Sequence, residues 1–510
     1  MCLRKRGLYT IYYIENVGFL RGGRDIGGRG WLLAEWIYKI DTAEEAALMA
    51  LIVKNNMDSV NALKNLSKNT EAMHKDLQKL ATGEKITGAG DGASEYAISE
   101  RMRVQVKSLD QDDQNAQNGI SILNTAAGAL DSTIDILRTM KEKAIDAAND
   151  HNSDIDRASI QKVIDEYINQ IDDNALVSYN GITMLDGSRN YSVVEGGTYT
   201  HLTNTRFADD TTKDTSVLDL TNKDGNNLGI QTTDTVAISW VQNGETHTVE
   251  VSPLEKKVDI PNPKYHPLKP KNGPKFYVQM VPYTLSELVD KLGGVMTLNS
   301  TNSYIGDDRT GEGVYTSDGR NAITLKASQP GIAGQIAGIT FKITDAGGQV
   351  RDTANKIFDY FEESIRAENH SEDNSMVFQI GTKANQSLKA GFSDTRAVAL
   401  GLRSYDGANV TLSVSTQNDA NVAINVLDSA LQKVLNQQTT VGAELSRLEY
   451  TSANIVMNSE NTQAAESVIR DADMAKEQTA YARESILTQA AQAMLAQSNQ
   501  NSSSVLSLLQ

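Results

Sequence analysis

Residues 427–455 read LDSALQKVLNQQTTVGAELSRLEYTSANI, and this stretch decides the fold. Of nine positions spaced alternately four and three residues apart, seven are apolar, and the stretch contains no proline and a single glycine, Gly442. Over about four heptads, this spacing is typical of a helix that packs lengthwise against a partner helix. The predicted contact seam comprises Leu427, Leu431, Val434, Val441, Leu445, Leu448 and Ile455.

A second seam of the same kind lies near the other end of the chain. Its members are Ala116, Ile120, Leu123, Ala127, Leu130, Ile134 and Leu137. Because one apolar seam cannot bury itself, the two seams predict that the chain ends pair into a long α-helical coiled-coil rod. The residues between them would form an insertion carried on that rod. The alternative is an ordinary helical bundle core that does not assemble further.

The distribution of proline separates helical ends from a non-helical middle. Seven of the eight prolines lie between Pro253 and Pro282, which leaves both flanks almost free of helix breakers. From about residue 191, Thr, Asn, Gly and β-branched residues dominate, and an Asn243-Gly244 turn joins two alternating segments into a predicted hairpin. We read the proline cluster as an extended loop or linker. The fold class is therefore mainly α with a β-rich insertion.

Charge and cysteine content argue against several classes of protein. The formal net charge is −17, whereas a nucleic-acid-binding surface needs a basic face that displaces counterions from phosphates. The same acidity disfavours an anionic membrane surface, and no apolar run reaches the length of a membrane span. The single cysteine, Cys2, excludes an intrachain disulfide framework and a cysteine-ligated zinc site.

Residues 1–48 differ in composition from the rest of the chain. They contain Cys2, two of the three tryptophans and a Gly/Arg-rich run at 21–30. A nucleic-acid-binding arm is one interpretation of this run, but seven basic and six acidic side chains nearly balance in the segment. The composition changes at Met49-Ala50. Just upstream, the codons of Glu44-Glu45-Ala46 can form a purine-rich ribosome-binding sequence. We therefore expect 1–48 to be a non-native extension from a mis-set gene start.

The spacing of polar residues indicates no catalytic or metal-binding arrangement. The six histidines never form His-Glu-x-x-His. Asp110, Asp112 and Asp113 lack the glycine and closing glutamate of a calcium loop, so we interpret them as a solvated helix face. The glycine-rich turn at 88–92 follows a helical segment and lacks the Lys-Ser/Thr pair of a phosphate loop. We predict no enzymatic activity, no cofactor and no metal.

Motifs at both ends of the chain resemble those of bacterial flagellins. Near the front they are LATGxxI at 80–86, DGA at 91–93, NAxNGIS at 115–121, AxGAL at 126–130 and YNG at 179–181. Near the end they are IxDADMAxE at 469–477, ILxQA at 486–490, LAQxNQ at 495–500 and VLSLL at 505–509. The resemblance covers residues 49–188 and 376–510.

This resemblance implies a discontinuous domain organisation. Residues 49–92 and 467–510 would pair into a terminal coiled-coil inner domain, and 93–190 with 376–466 would form an α-rich rod domain. Residues 191–375 would form one or two variable β-rich surface domains. Different faces of neighbouring copies would meet, so that the contacts do not close and a helical filament grows.

The implied function is a secreted structural subunit that polymerises into the bacterial flagellar filament for swimming motility. Implied partners are further copies of the chain, the flagellar export apparatus, a secretion chaperone, and filament cap and hook-associated proteins. A hook–filament junction protein is the structural alternative, and VLSLL at 505–509 favours the filament subunit. A zinc protease would need a His-Glu-x-x-His that 191–375 lacks, and adhesion by that region would be an added role.

Flagellins are also ligands of a Toll-like immune receptor, through a Gln-Arg-x-Arg-Glu-Leu motif and a glutamate on the following helix. The matching segment here is RTMKEK at 138–143, in which Glu142 matches and Lys141 preserves only the charge of arginine. Val163 stands where the second glutamate would be. The resemblance therefore implies weak receptor activation through Lys141 and Glu142.

Overall fold

The computed structural model describes residues 56–261 and 276–508, and the expectation for residues 1–48 lies outside them. The chain divides into two compact units. The terminal unit contains the described residues 56–102 and 464–508, and the central unit is Arg103–Gln463. The domain boundaries expected from the sequence, at 92/93 and 466/467, stay a prediction.

Long helices make up most of both chain ends. The α-helices of the described residues are α1 Met57–Thr82, α2 Ala93–Ala147, α3 Asp154–Ala175, α4 Leu285–Asp290, α5 Asp352–Phe358, α6 Ala397–Leu400, α7 Gln417–Arg470 and α8 Met474–Leu508. Two short 3-10 helices span Val217–Asp219 and Ile332–Gly334. None of these helices combines the length and apolar character needed to cross a membrane.

The strands are concentrated between α3 and α7. They are β1 Ser178–Tyr179, β2 Ile182–Thr183, β3 His201–Asn204, β4 Thr235–Gln242, β5 Glu245–Val251, β6 Glu255–Pro261, β7 Phe276–Pro282, β8 Met296–Ser300, β9 Tyr304–Asp307, β10 Gly313–Tyr315, β11 Ile323–Ala327, β12 Ile336–Thr344, β13 Glu362–Ile365, β14 Met376–Gln379 and β15 Ser387–Ala390. The predicted fold class, mainly α with a β-rich insertion, is confirmed.

Local sequence explains where the helices begin. At the start of α3, the Ser153 hydroxyl accepts a hydrogen bond from the Asp156 backbone N–H, and the Asp156 carboxylate accepts one from the Ser153 N–H at 3.0 Å. This capping box satisfies two donors that a helix end otherwise leaves unpaired. At the start of α8, Asp473 accepts hydrogen bonds from the backbone N–H groups of Ala475 and Lys476, as expected for an acid in the first turn.

The central unit contains a helical core built from α2, α3, α6 and α7. Its fully buried side chains include Leu123, Leu130, Ile164, Ile168, Leu400, Leu427 and Val434. Strands β14 and β15 add Phe378 and Leu388 to the same core. The two halves of the helical region, which lie far apart in sequence, therefore share one hydrophobic interior.

A second core lies in the β-rich region. Two antiparallel sheets, with strand orders β13-β3-β11-β8 and β12-β4-β5, contribute Leu325, Ile238 and Phe341 to it, and α5 contributes Phe358. The β4–β5 hairpin turns through Asn243 (φ 52°) and Gly244 (φ 72°), as the Asn-Gly pair predicts. A Cβ on Gly244 would lie 2.6 Å from the Val410 carbonyl oxygen, so this position requires glycine.

The proline-rich segment differs from the sequence expectation. We expected an extended loop or linker, but its described parts are β6 and β7, which pair as an antiparallel ribbon. Pro261 and Pro282 occupy the two ends of this ribbon, opposite Phe276 and Glu255. Proline is tolerated there because the end of a strand in a two-stranded ribbon needs no further ladder donor.

Candidate assembly site

The predicted seam residues lie inside the central unit. In α2 and α7 the buried members are Ala116, Leu123, Leu130, Ile134, Leu137, Leu427, Val434, Val441, Leu448 and Ile455. Ile120, Ala127, Leu431 and Leu445 are half-buried and pack against the same helical core. Their burial within one chain places these side chains in the intrachain rod. A role for them in contacts between copies stays a prediction.

Polar contacts establish that α2 and α7 run antiparallel. Asp110 accepts a hydrogen bond from Ser459 at 2.8 Å, and Asp113 accepts one from Ser452 at 2.5 Å. Near the other end of the pair, the Lys141 ammonium lies 2.5 Å from the Asp428 carboxylate. As position along α2 increases, the partner position along α7 decreases.

The interpretation of the three aspartates as a solvated helix face is wrong for Asp112. Its side chain is only 5% exposed, and burial raises the pKa of its carboxyl group. Asp110 and Asp113, on either side, contact α7 through the serine hydroxyls. The sequence does not show this because the partner serines are more than 300 residues away.

The two residues of the degenerate receptor motif lie on the surface of α2. Glu142 is exposed, whereas Lys141 is half-buried and ion-paired with Asp428. Val163, at the position of the second glutamate, is 40% exposed on α3. The charge of Lys141 is thus partly neutralised within the chain.

Helices α1 and α8 form a second antiparallel pair, in the terminal unit. Near one end of the pair the Asn56 side chain donates to the Ser498 carbonyl at 3.3 Å, and near the other end the Lys79 ammonium lies 4.0 Å from the Glu477 carboxylate. No residue of α1 is buried. Large apolar side chains remain exposed on both helices: Met57, Val60, Leu63 and Leu77 on α1, and Met474, Ile486, Leu487 and Met494 on α8.

The end of α1 is joined to the α7–α8 connection by a backbone bridge. Gly83 ends α1 in the left-handed conformation (φ 74°), which glycine adopts without a steric penalty. The Gly83 carbonyl then accepts a hydrogen bond from Ala472 N–H at 2.9 Å, and Lys85 N–H donates to the Arg470 carbonyl at 2.7 Å. The motifs at 80–86 and 469–477 therefore meet in space.

Arg470 is the central side chain of this bridge. It is only 5% exposed, and its guanidinium lies 3.1 Å from Glu84 and 2.5 Å from Glu100. Hydrogen bonds to Glu100 and Glu84 raise the pKa of Arg470 further, so it is always charged. The guanidinium also lies over the Tyr96 ring, 5.5 Å from its centroid. Sequence reasoning missed Arg470 because it occupies an unspecified position in the quoted motif.

The described residues contain no group of three or more His, Cys, Asp or Glu side chains placed to hold a metal ion. The terminal pair exposes apolar surface along two long helices, α1 and α8. That arrangement suits docking of other helices.

Two family models match the chain. The bacterial flagellin N-terminal helical region matches residues 53–190, and the bacterial flagellin C-terminal helical region matches residues 424–509. A flagellin of Clostridium tyrobutyricum is 28% identical over 88% of this chain and 99% of its own length. A flagellin of Bacillus subtilis strain 168 is 26% identical over 90% of this chain and 99% of its own.

A third relative is the flagellar filament 33 kDa core protein of Treponema phagedenis, 26% identical over 90% of this chain and 100% of its own length. These relatives match nearly end to end. The two family regions also correspond to the two ends that the antiparallel seams of α2 and α7 bring together in one core. The chain carries both helical regions of bacterial flagellins, one towards each end.

Proposed function

We infer that this chain is a structural subunit of the bacterial flagellar filament. The observation that carries this inference is the α1–α8 pair, in which no α1 residue is buried and apolar side chains lie exposed along both helices. Two helices alone cannot bury such faces, and apolar stripes of this length mark interaction surfaces. Neighbouring copies of the chain supply the missing cover.

The mode of assembly follows from the position of this surface. The apolar faces of α1 and α8 belong to different segments, so one face can meet a different face on the next copy. Contacts of this heterologous kind do not close into a dimer and propagate as a helical filament. The chain remains a monomer until a neighbouring copy covers its apolar faces. Growth therefore occurs at the end of an existing filament.

The alternative of a hook–filament junction protein is less well supported. The relatives that match nearly end to end are named flagellins or a filament core protein. Similarity to a structural family supports a structural role in place of an enzymatic one.

We propose that the chain reaches the cell exterior through the flagellar export apparatus, with a secretion chaperone as an intracellular partner. The sequence supports this because its single cysteine, Cys2, cannot form an intrachain disulfide that would resist unfolding before passage. The filament cap and hook-associated proteins would then contact the polymer at its two ends.

Activation of a Toll-like receptor is proposed to be weak. Lys141 is the one basic match of the motif, and its pairing with Asp428 reduces the charge available to a receptor. In reporter cells we expect a response at least about tenfold below that of a flagellin with the full motif. An equal response would contradict this proposal.

The filament function is tested by polymerising the purified full-length chain. Short sheared fragments of its own polymer are added as seeds, and growth is followed by sedimentation and electron microscopy. We expect filaments whose length increases with the supply of monomer. Closed rings, or a fixed short length, would favour the junction protein, and monomers alone would refute the filament subunit.

A further inference from the structure

A polar cavity of about 260 Å³ lies in the central unit. One wall is a face of α7, on which Ser429, Lys433, Gln437 and Thr440 recur at helical spacing. Strand β13 and the residues after it form the opposite wall. The cavity is smaller than a typical drug-sized pocket, so it suits a small molecule.

Buried charges face each other across this cavity. The Lys433 ammonium lies 2.9 Å from a Glu363 carboxylate oxygen, and the two side chains are only 5% and 6% exposed. Burial lowers the pKa of Lys433, and the adjacent Glu363 opposes this effect. Burying a charged lysine or glutamate destabilises the folded state unless further polar partners compensate for the lost hydration.

Polar atoms in the cavity wall lack hydrogen-bond partners among the described residues. The second oxygen of Glu363 has no donor, and the Arg366 Nε–H has no hydrogen-bond acceptor, with the Glu368 carboxylate 4.0 Å away. Lys433 carries three N–H donors, of which one can face Glu363. The wall thus offers N–H donors, from Lys433 and Arg366, to an anionic group of a ligand. Beside them, Glu363 offers an acceptor to a ligand hydroxyl or ammonium group.

The lining residues also carry an excess of positive charge. Lys433, Arg366 and Arg309 are basic, and Glu363 is the one acidic residue of the lining. Arg309 is held by the Tyr191 ring, 4.4 Å from its centroid. Glu368 lies 4.0 Å from Arg366, and Glu444 accepts a hydrogen bond from Tyr191, so these carboxylates offset part of the excess. The basic side chains remain as donors for a small anion.

We propose that this cavity binds a small organic carboxylate that carries a hydroxyl or ammonium group. Its carboxylate accepts hydrogen bonds from Lys433 and Arg366, and its hydroxyl or ammonium donates to Glu363. This arrangement satisfies the orphaned atoms on both sides of the cavity. The proposal is independent of the filament function, because it uses side chains of the central unit alone.

Isothermal titration calorimetry of the monomeric full-length chain tests this with gluconate, L-glutamate, acetate and inorganic phosphate. We expect gluconate or L-glutamate to bind with a Kd of about 1 mM or below, and acetate to bind at least about tenfold more weakly, since it has no donor for Glu363. The absence of gluconate and L-glutamate binding at about 10 mM would overturn the proposal. Tighter binding of phosphate than of both would overturn the assignment to carboxylates.

Variants then locate the binding site. Lys433→Met alone would strand the Glu363 charge, so the double variant Lys433→Met/Glu363→Gln neutralises both partners together. We expect it to lose at least about tenfold in affinity, whereas Lys342→Met, on an exposed position of β12, retains binding. Circular dichroism checks that the double variant is folded. If the double variant is unfolded, Arg309→Met is titrated in its place. Unchanged affinity in whichever of the two variants is folded would overturn the proposal.

Discussion

Two antiparallel helix pairs among the described residues, α2–α7 and α1–α8, differ in whether their apolar faces are covered within the chain. In the α2–α7 pair, Leu130 is fully buried, because α3, α6 and strands β14 and β15 pack around the seam. In the α1–α8 pair, Leu63 is 55% exposed, and no α1 residue is buried. An apolar helix face thus shows that a partner is needed, but not whether the partner is the same molecule.

This difference has an energetic consequence. Burying a leucine side chain contributes roughly 1.5–3 kcal/mol, so the central pair draws its stability from contacts within one chain. The terminal pair leaves much of that contribution unused until other copies arrive. Folding and assembly are therefore separable in this protein, and substitutions in the two pairs should affect different properties.

The largest effect is expected for Leu130→Asp in the central pair. Loss of packing and burial of an unpaired carboxylate should lower the free energy of unfolding by about 4–5 kcal/mol and abolish filaments. Guanidinium unfolding followed by far-ultraviolet circular dichroism measures this. In a background in which Trp31 and Trp36 are replaced by phenylalanine, Trp240 fluorescence reports whether the β-rich core stays folded. Leu435→Asp is the control on α7, where the side chain is 38% exposed. Equal destabilisation by both would contradict the assignment of Leu130 to the core.

In the terminal pair, Leu63→Asp should separate assembly from folding. The side chain is already half-exposed in the monomer, so the free energy of unfolding should change by about 0.5 kcal/mol or less. The same charge would be desolvated between copies, so the critical concentration for polymerisation should rise at least about tenfold. Sedimentation of seeded samples measures the rise. Asn65→Asp adds the same charge at an exposed position of α1 and serves as the control, and normal polymerisation of Leu63→Asp would contradict the proposed surface.

Removing the Arg470 guanidinium should loosen the terminal pair without unfolding the central unit. Arg470→Met removes this partner from Glu84 and Glu100, so the free energy that stabilises the terminal pair should fall by about 2 kcal/mol. The loss is moderate because both carboxylates are partly exposed to water. Hydrogen exchange of the α8 backbone amides should accelerate accordingly. Arg483→Met, at a side chain that is 72% exposed, should have little effect. If α8 exchange is the same in both variants, Arg470 does not hold the terminal pair.

The smallest effect is a pH dependence confined to the β-rich core. Burial lowers the pKa of His201 in β3 below its usual 6.5. The unfolded chain therefore takes up a proton first as the pH falls, so the stability present above pH 6.5 is progressively lost below it. His201→Gln should flatten this part of the stability profile in denaturant titrations at pH 7.5 and 5.5. An identical slope in the variant would show that another group titrates.

Particular residues show how far sequence reasoning extends. The four-three spacing through Leu427 and Leu448 predicted a helix and its buried face, because helical period and burial are local consequences of the residue order. The Asn243-Gly244 turn predicted a hairpin for the same reason. The burial of Asp112 could not be predicted, because it depends on tertiary packing around α2, which neighbouring residues do not encode.

The sequence by itself determined the helices, the hairpin turn, the β-rich insertion and the family motifs, since each depends on neighbouring residues. Tertiary structure alone decided that α2 and α7 run antiparallel, that Arg470 reaches Glu100 across 370 residues, and that Lys433 faces Glu363 in a cavity. Such contacts leave no periodic signal in the chain. Only the three-dimensional path of the backbone brings these charges together, and only that path determines which apolar face is covered and which stays open to another copy.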